Sequence, residues 1–392
     1  MDLREISMES NNKPIIRVGL IGSGFMGRCH ANAFRNVSSL FNLPVNIELT
    51  CLADINKALA QHNADALGFI SSTDCWQDMV ADPNIDIIAI TAPNGLHEEM
   101  AILAASHGKT IYCEKPLSTT LESAMRMVDA ANNAGVVTQV GFNFLRNPLF
   151  KMAKTMIESG DLGDIVSFRG THAENYMGES RQPHSFRTHP QGGGALADIG
   201  SHITSLARYF LGPINRVNAH QKTVVKDRPR TLGSYEMLPV QVDDVSHVLM
   251  EFASGCIGSI NVCWLQTGRN MDLSFEITGT LGAIHFNQER MNEIHVYKPI
   301  QNTSETGFTK IETGAQHPPY NQFCPAPGHH IGFNDLKVIE VAELVNAMLN
   351  SEPLFTDFQE GYRVQRTIDA MQSSADTGQW VSIKEHIKYN GK

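Results

Sequence analysis

Apolar residues in the first 140 positions fall into short, nearly uninterrupted runs, and longer amphipathic stretches separate these runs. Such runs are typical of buried strands in a parallel sheet, and the stretches between them are typical of helices that cover both faces of the sheet. The predicted strands are Ile15–Ile21, Ile47–Ala53, Ile85–Thr91, Thr110–Cys113 and Val136–Val140.

The pattern changes near Gly141, beyond which apolar side chains recur at every second position, as in Val248, Met250 and Phe252, which share one face with Ser246. Period-two alternation predicts an antiparallel sheet with two unlike faces. We therefore predict an α/β protein with two domains, residues 1–140 and residues 141–392. The second domain is expected to be built on a large, mainly antiparallel sheet.

A glycine-rich turn of the form G-x-G-x-x-G directly follows the first predicted strand and precedes a helix that begins near Phe25. Glycines permit a tight turn and close backbone approach, so a pyrophosphate can lie against the helix N-terminus. This placement predicts a dinucleotide-binding Rossmann domain. The predicted cofactor contacts in the turn are Gly22, Gly24, Phe25, Met26 and Gly27.

An acidic residue, Asp54, ends the second predicted strand. A carboxylate at this position accepts hydrogen bonds from ribose hydroxyls and repels a 2′-phosphate, so it favours NAD over NADP. Its distance from the glycines exceeds the usual ~20 residues, and an insertion at residues 38–46 accounts for the difference. The alternative is that Asp54 only caps the following helix.

Two more turns follow predicted strands at the same edge of the sheet. The first contains Thr91, Pro93, Asn94 and His97, and all four are predicted cofactor contacts because ligands collect at the carboxyl ends of such strands. Asn94 would equally suit the N-cap of the next helix. The second contains Lys115, which directly follows a buried strand and precedes a proline, an unusual place for a solvated charge.

A further helix is predicted to start near residue 196 and to end at Gly212. Asp198 and His202 are four residues apart, so they lie on one face of this helix. An Asp–His pair on one face, in a chain with a dinucleotide fold, favours catalysis over a structural role. The apolar stripe of the helix is Leu196, Ile199, Ile203, Leu206 and Phe210.

These motifs, in this order, resemble the Gfo/Idh/MocA family of glucose–fructose oxidoreductases, inositol dehydrogenases and rhizopine-catabolism proteins. They comprise G-x-G-x-x-G, T-x-P-N-x-x-H, E-K-P at residues 114–116 and a D-x-G-x-H helix. The resemblance spans residues 15–383 and is nearest to levoglucosan and glucoside dehydrogenases, on segments 141–146, 168–171, 286–290 and 316–332. Many relatives carry an acid where this chain has Ser205, so substrate contacts on that turn are not carried over.

The resemblance implies an NAD-dependent dehydrogenase acting on a CH–OH group, with Lys115, Asp198 and His202 as its catalytic residues. Removal of hydride from carbon requires a base for the hydroxyl proton, and histidine, with an unperturbed pKa of about 6.5, suits that role. Lys115 can stabilise alkoxide character on the same oxygen, while Asp198 can orient the imidazole or share its proton. Glu114, Lys115 and Asn143 are also expected to contact the cofactor.

Polar side chains after the first domain and in the stretch 171–191 are candidate substrate contacts. The stretch is rich in hydroxyl and amide groups, which pair with sugar hydroxyls in both directions. Its basic residues are only Arg181 and Arg187, which favours a neutral pyranose-like ring over a phosphorylated one. A solvated surface loop is the alternative. The predicted substrate contacts are Lys115, Asn143, Arg146, His172, Tyr176, Arg187, Asp198 and His202, with His184 as a further candidate.

Composition narrows the remaining function classes. The net charge is −10 and no Lys/Arg cluster occurs, which argues against nucleic acid. Seven scattered cysteines without CxxC spacing suit reduced thiols in the cytoplasm. The adjacent His329 and His330 lack a third ligand, so no metal is predicted.

The chain shows none of the features that direct a protein to or across a membrane. The N-terminal segment is polar, without the apolar core of a signal peptide, and no apolar run approaches the ~20 residues that span a bilayer. We expect a cytoplasmic homodimer or homotetramer that packs through the exposed face of the second sheet.

Three alternative functions share this fold. An inositol dehydrogenase would use the same chemistry on a cyclitol. An NAD-dependent glycosidase would oxidise its substrate transiently, and a non-catalytic NAD-binding sensor would have no need for a Lys–Asp–His trio. Net accumulation of NADH with an alcohol substrate distinguishes a dehydrogenase from the last two.

Overall fold

A computed structural model describes residues 13–299 and 303–383 of the chain. Residues 1–12 lie outside the described residues. They make up most of the N-terminal segment in which the sequence analysis predicts no signal peptide. None of the helices within the described ranges has the length and apolar character needed to cross a membrane.

The N-terminal half forms a six-stranded parallel sheet with the order β3-β2-β1-β4-β5-β6. The order reverses between β1 and β4, and in doubly wound sheets the ligand crevice lies outside the carboxyl ends of the strands at this point. The strands are β1 Ile15–Ile21, β2 Asn46–Ala53, β3 Ser71–Thr73, β4 Ile87–Ile90, β5 Thr110–Cys113 and β6 Thr138–Val140.

Helices connect these strands, and several begin or end at residues suited to capping. Asn56 and Thr120 accept hydrogen bonds from the first turns of α2 and α5, and Gly68 and Gly135 end the same helices in the left-handed conformation. The helices are α1 Phe25–Leu40, α2 Lys57–Leu67, α3 Trp76–Ala81, α4 His97–Ser106 and α5 Leu121–Ala134.

The C-terminal half is organised around a nine-stranded sheet with the order β16-β15-β14-β13-β7-β12-β11-β8-β17. Within the described strands of this sheet only the β7–β12 pair is parallel, so the sheet is mainly antiparallel as predicted. The strands are β7 Ile165–Ala173, β8 Ile214–Lys222, β9 Asp227–Pro229, β10 Met237–Pro239, β11 Val245–Phe252, β12 Ile257–Cys263, β13 Asp272–Gly279, β14 Ala283–Asn287, β15 Glu293–Tyr297, β16 Thr309–Glu312 and β17 Val381–Ser382, with β9 and β10 forming a separate hairpin.

One face of this large sheet is covered by helices and buries the alternating apolar positions, such as Phe168, Met250 and Phe275. The alternate positions Leu249 and Ile257 point to the other face and are more than half exposed. The helices of this half are α6 Pro148–Glu158, α7 Ser201–Leu211, α8 Phe333–Asn350 and α9 Phe358–Thr377.

Helix α8 returns to the N-terminal half. Its residues Val338, Val341 and Leu344 share a core with Phe34 and Val37 of α1. The division at residues 140 and 141 therefore stays a prediction, since a helix assigned to the second domain completes the core of the first.

Candidate active site

A cleft of about 1030 Å³ opens at the carboxyl ends of β1, β2 and β4, where the strand order predicts a ligand. The predicted cofactor contacts that line it are Gly22, Gly24, Phe25, Met26, Asp54, Thr91 and Pro93. Lining residues that the sequence analysis did not single out include Ser23, Ile55, His62, Asn63, Asp74, Trp76 and Phe186.

The three glycines of the first turn have different steric surroundings. Gly22 has a φ of +91°, which favours glycine. A Cβ on Gly27 would lie 2.2 Å from the Gly22 carbonyl oxygen, so α1 can pack against the turn only without a side chain there. A Cβ on Gly24 would meet nothing within 4 Å, and this open space is where a pyrophosphate is expected.

Asp54 is oriented toward the glycine-rich turn. One carboxylate oxygen accepts a hydrogen bond from the Ser23 N–H at 2.9 Å and another from the Ser23 hydroxyl, and the second oxygen accepts from the Ile55 N–H at 2.7 Å. The alternative role as a helix cap falls to Asn56, whose side chain accepts from Leu59 N–H at 2.9 Å. A preorganised carboxylate beside an open glycine turn fits the ribose and pyrophosphate of NAD.

His97 does not line the cleft, and Asn94 does not cap helix α4. The His97 ring is fully buried, with Nε2 2.9 Å from the Ala92 carbonyl oxygen and Nδ1 3.1 Å from that of Pro116. It therefore joins the cofactor turn to the Lys115 turn and does not line the cleft. Asn94 begins a short 3-10 turn, and the residue before α4 is Leu96, so Asn94 is not the N-cap.

Three side chains converge on the Asp198 carboxylate. The Lys115 Nζ donates to Asp198 Oδ1 at 2.8 Å and to the Asp198 carbonyl oxygen at 2.9 Å. The Tyr176 hydroxyl and the Arg187 Nε donate to Oδ2 at 2.7 Å and 2.9 Å. Burial opposes ionisation of Asp198, but the charges of Lys115 and Arg187 outweigh it and hold its pKa below the usual value.

Local structure explains how Arg187 reaches this cluster. It lies in the 3-10 turn Phe186–Thr188, where the Ser185 hydroxyl accepts from the Arg187 N–H at 3.3 Å. The guanidinium lies over the Phe186 ring, 4.5 Å from its centroid. Because Phe186 and Arg187 both line the cofactor cleft, the Asp198 cluster and the cleft share a wall.

His202 is buried among aromatic rings. Its ring centroid lies 4.7 Å from that of Phe144, 5.9 Å from that of Phe142 and 5.6 Å from that of His172. Burial, followed by the Lys115 charge, lowers the pKa of His202 well below 6.5, so the imidazole is neutral at neutral pH. Among the hydrogen bonds of the described residues, none joins Asp198 to His202.

The predicted helix is not uniformly α-helical. Leu196–Gly200 is a π-helical turn that carries Asp198, and α7 begins at Ser201 and ends before Gly212 as predicted. π-Helical turns occur frequently at functional sites. The predicted apolar stripe is buried throughout.

Asp243 holds the start of this π-helical turn and was not predicted. Its carboxylate accepts from the Leu196 N–H at 2.9 Å and the Ser246 hydroxyl at 2.7 Å, and its carbonyl oxygen accepts from the Ala195 N–H at 2.9 Å. Gly194, with a φ of +103°, would place a Cβ 2.1 Å from this carboxylate. Burial raises the pKa of Asp243 to about 6.

Of the predicted substrate contacts, Asn143 and His172 lie near His202. Asn143 is buried between Phe142 and Phe144, and its Nδ2 has no hydrogen-bond partner among the described residues. The His172 nitrogens are engaged, with Nδ1 2.6 Å from the Ile199 carbonyl oxygen and Nε2 2.9 Å from Glu174. His172 therefore supports the π-helical turn.

Three other predicted contacts point elsewhere. The Arg146 guanidinium is buried against Thr356, at 2.6 Å, and Glu343, at 2.9 Å. His184 is bonded within its own loop and 3.1 Å from the Leu238 carbonyl oxygen. Glu114 is buried outside the cleft lining and bonds to His30 and Lys337. Position in the chain did not determine where these side chains point.

Comparison with known proteins gives the family of the chain. A family model described as an oxidoreductase family with an NAD-binding Rossmann fold matches residues 16–142. A second model, the GFO/IDH/MocA C-terminal domain, matches residues 150–285. The chain belongs to the Gfo/Idh/MocA oxidoreductase family.

Individual members of the family match along nearly the whole chain. Levoglucosan dehydrogenase of Pseudarthrobacter phenanthrenivorans is 36% identical, over 94% of this chain and 98% of that protein. The scyllo-inositol 2-dehydrogenase (NAD(+)) of Bacillus subtilis is 29% identical, over 91% and 94%. A levoglucosan dehydrogenase structure in complex with NADH and levoglucosan superposes with a TM-score of 0.91 at 36% identity, covering 95% of this chain and 100% of that one.

Membership of the Gfo/Idh/MocA family confirms the predicted fold class, the oxidoreductase class and NAD as the cofactor. The geometry brings Lys115, Tyr176, Arg187 and Asp198 together beside His202. The roles of these residues in a reaction stay predictions.

Proposed function

We propose that this protein oxidises a ring hydroxyl of a neutral sugar, anhydrosugar or glucoside, with NAD as the hydride acceptor. The observation that carries the proposal is the Lys115–Asp198 ion pair at 2.8 Å beside a buried, neutral His202, next to the cofactor cleft. A secondary alcohol needs a stabiliser of its oxygen and an acceptor for its proton, and these two groups can supply both.

Each residue has a distinct task in this proposal. Bound NAD supplies the electrophilic carbon that takes the hydride. His202 accepts the hydroxyl proton, and the nearby Asp198 charge offsets part of the cost of charging a buried imidazole. Lys115 donates a hydrogen bond to the substrate oxygen as alkoxide character develops. Asp198 orients the Lys115 ammonium through Oδ1.

Charge in the cluster supports a neutral substrate. Asp198 neutralises one of the two adjacent cations, Lys115 and Arg187, and Arg187 is already engaged with the Asp198 carboxylate and two aromatic rings. The cluster therefore keeps one net positive charge, which is less than the charge of about −1.5 to −2 on a phosphate monoester. The partly unsatisfied Asn143 amide suits a hydroxyl or amide partner in the bound state.

A cyclitol is the second candidate, because the inositol dehydrogenase relative is 29% identical over 91% of this chain. Levoglucosan ranks first, because the relative named for it is 36% identical over 94% of the chain. Both are uncharged rings of adjacent hydroxyls. An NAD-dependent glycosidase or a sensor on the same fold would accumulate no NADH.

A substrate panel tests the proposal. Purified protein with NAD is offered levoglucosan, glucosides, free sugars, inositols, sugar phosphates and aldonic acids, and kcat/KM is measured from NADH absorbance. We expect a neutral ring to be preferred, and a deoxy analogue at the reacting region to lose up to about 10⁴-fold. A sugar phosphate or aldonic acid that exceeds every neutral ring would overturn the substrate class and leave the fold unaffected.

We also propose a cytoplasmic homodimer or homotetramer that packs through the open face of the nine-stranded sheet. Leu249 and Ile257 are 53% and 59% exposed on this face, and exposed apolar side chains favour a protein contact. All seven cysteines are free thiols, as suits a reducing compartment. Sedimentation of wild type and Leu249→Glu tests the interface, since a monomeric wild type would exclude it.

A further inference from the structure

A second cluster of buried charges joins the Lys115 turn to helix α8. The Glu114 Oε1 accepts from Lys337 Nζ at 2.6 Å and lies 2.8 Å from His30 Nε2. The same Lys337 Nζ donates to Glu340 Oε2 and to the Tyr112 hydroxyl, each at 3.0 Å. Lys337 and Glu340 are fully buried. One ammonium group therefore connects α8 to β5 and Glu114, and the Glu114 carboxylate connects the cluster to α1 through His30.

Glu114 transmits this connection to the proposed site. Its Oε2 accepts from the backbone N–H of Lys115 at 3.3 Å. A Cβ on Gly141 would lie 2.7 Å from Glu114 Oε1, so the carboxylate packs against the backbone at the end of β6. The next residue, Phe142, contacts the His202 ring. One carboxylate thus contacts both chain segments that lead to Lys115 and to the wall of His202.

The charges in the cluster depend on one another. Burial disfavours an ionised Glu114, but the Lys337 charge and the His30 hydrogen bond hold the pKa of Glu114 well below its usual value. The two carboxylates in turn raise the pKa of Lys337 despite its burial. Loss of Lys337 would leave Glu114 and Glu340 without the cation they share.

Stability alone does not explain such a cluster, because buried ion pairs are often no more stabilising than apolar residues of similar volume. We propose that Lys337 is a positioning residue, which holds Glu114 and, through it, the Lys115 turn in the geometry that brings Lys115 Nζ to Asp198. The inference rests on the proposed dehydrogenase function. Lys337 itself need not touch substrate or cofactor.

The experiment compares Lys337→Met and Lys337→Arg with Lys109→Met. Lys109 is a matched control: it is also a buried lysine, but its Nζ donates to the Asp82 and Ile85 carbonyl oxygens, and it lies at the opposite end of β5 from Lys115. Measured quantities are kcat on the best sugar, the Kd for NAD, Tm, and hydrogen exchange of peptides covering residues 111–121.

We expect Lys337→Met to lower kcat at least about 10-fold with the Kd for NAD within about 3-fold, the pattern of misplaced chemistry with intact ground-state binding. Exchange in residues 111–121 should rise, because the Lys115 amide loses its fixed acceptor. Lys337→Arg should recover part of kcat. Lys109→Met should lower Tm and leave kcat within about 2-fold.

Two results would overturn the inference: a Lys337→Met kcat within about 2-fold of wild type, or a kcat loss that Lys109→Met reproduces at equal Tm. If Lys337→Met does not fold, Glu114→Gln carries the test with the same thresholds. If wild type oxidises no sugar, the proposed function fails, and the exchange comparison alone decides the positioning role: unchanged exchange in residues 111–121 would end it.

Discussion

Replacement of Lys115 by methionine removes the ammonium group and keeps the length of the side chain. Lys115 and Asp198 have side-chain exposures of 16% and 10%, so their ion pair is largely desolvated. Asp198 keeps two donors in the variant, Tyr176 and Arg187. We therefore expect a stability loss of about 1.5–3 kcal/mol, the value of one hydrogen bond to a charged group. The full ~3–5 kcal/mol of an unpaired buried charge is not expected.

We expect Lys115→Met to lower kcat as well as stability. A preorganised donor to a developing oxyanion is worth about 10²–10³-fold in kcat, and 100-fold corresponds to about 2.7 kcal/mol of transition-state stabilisation. Lys115 is absent from the residues that line the cofactor cleft. The Kd for NAD should therefore change by no more than about 3-fold.

The assay measures kcat and KM from NADH absorbance, the Kd for NAD by calorimetry, and Tm as a check of folding. Arg181→Met, a loop arginine outside the Asp198 cluster, provides a control for the loss of a cation. A Lys115→Met enzyme with near-normal kcat would remove Lys115 from the mechanism. A large loss of NAD affinity would place its role in cofactor binding.

Three further predictions concern single side chains. Asp54→Ala should raise the Kd for NAD and reduce discrimination against NADP in calorimetry, and a wild type that binds NADP more tightly would contradict the assignment. Since the pKa of His202 lies well below 6.5, the limb in which kcat/KM rises with pH should lie in that acidic range and flatten in His202→Asn; a limb unchanged in the variant would identify another base. The pKa of Asp243 is about 6 when folded, against about 3.9 unfolded, so its contribution favours the folded state at low pH and is lost as pH rises through 6. Denaturant titrations of Asp243→Asn should therefore show a gain over wild type that grows by about 2 kcal/mol between pH 4 and pH 7, and a gain independent of pH would contradict the burial argument.

The local sequence pattern was sufficient to predict most strands of the N-terminal sheet. The predicted bounds of β1 and β5 agree with the structure, because both are short, largely apolar runs with clear ends. Strand β3 was missed, since its sequence, Ser-Ser-Thr, has three polar residues at the sheet edge. The return of α8 to α1 could not be predicted, because its apolar positions do not specify which surface they cover.

The sequence analysis predicted the site residues that belong to motifs. It missed those that contact the site from distant parts of the chain. Lys115, Asp198 and His202 followed from motifs and helix spacing. Asp243 supports the π-helical turn from the loop before β11, and Lys337 reaches Glu114 from 223 positions along the chain. A lysine and a glutamate three residues apart within the largely apolar α8 were the available signal for Lys337. Arg146 was predicted to contact substrate from its position in the chain, but chain position does not set side-chain direction, and Arg146 bonds to Thr356.

The most direct test of the proposed reaction is NADH formation by wild type and Lys115→Met on levoglucosan, a glucoside, an inositol and glucose 6-phosphate. The account predicts net NADH with at least one neutral ring, at a kcat/KM above that for the phosphate, and a loss of at least about 100-fold in the variant. Wild-type protein that binds NAD and forms no NADH with any of these alcohols, or a variant as active as wild type, would contradict it.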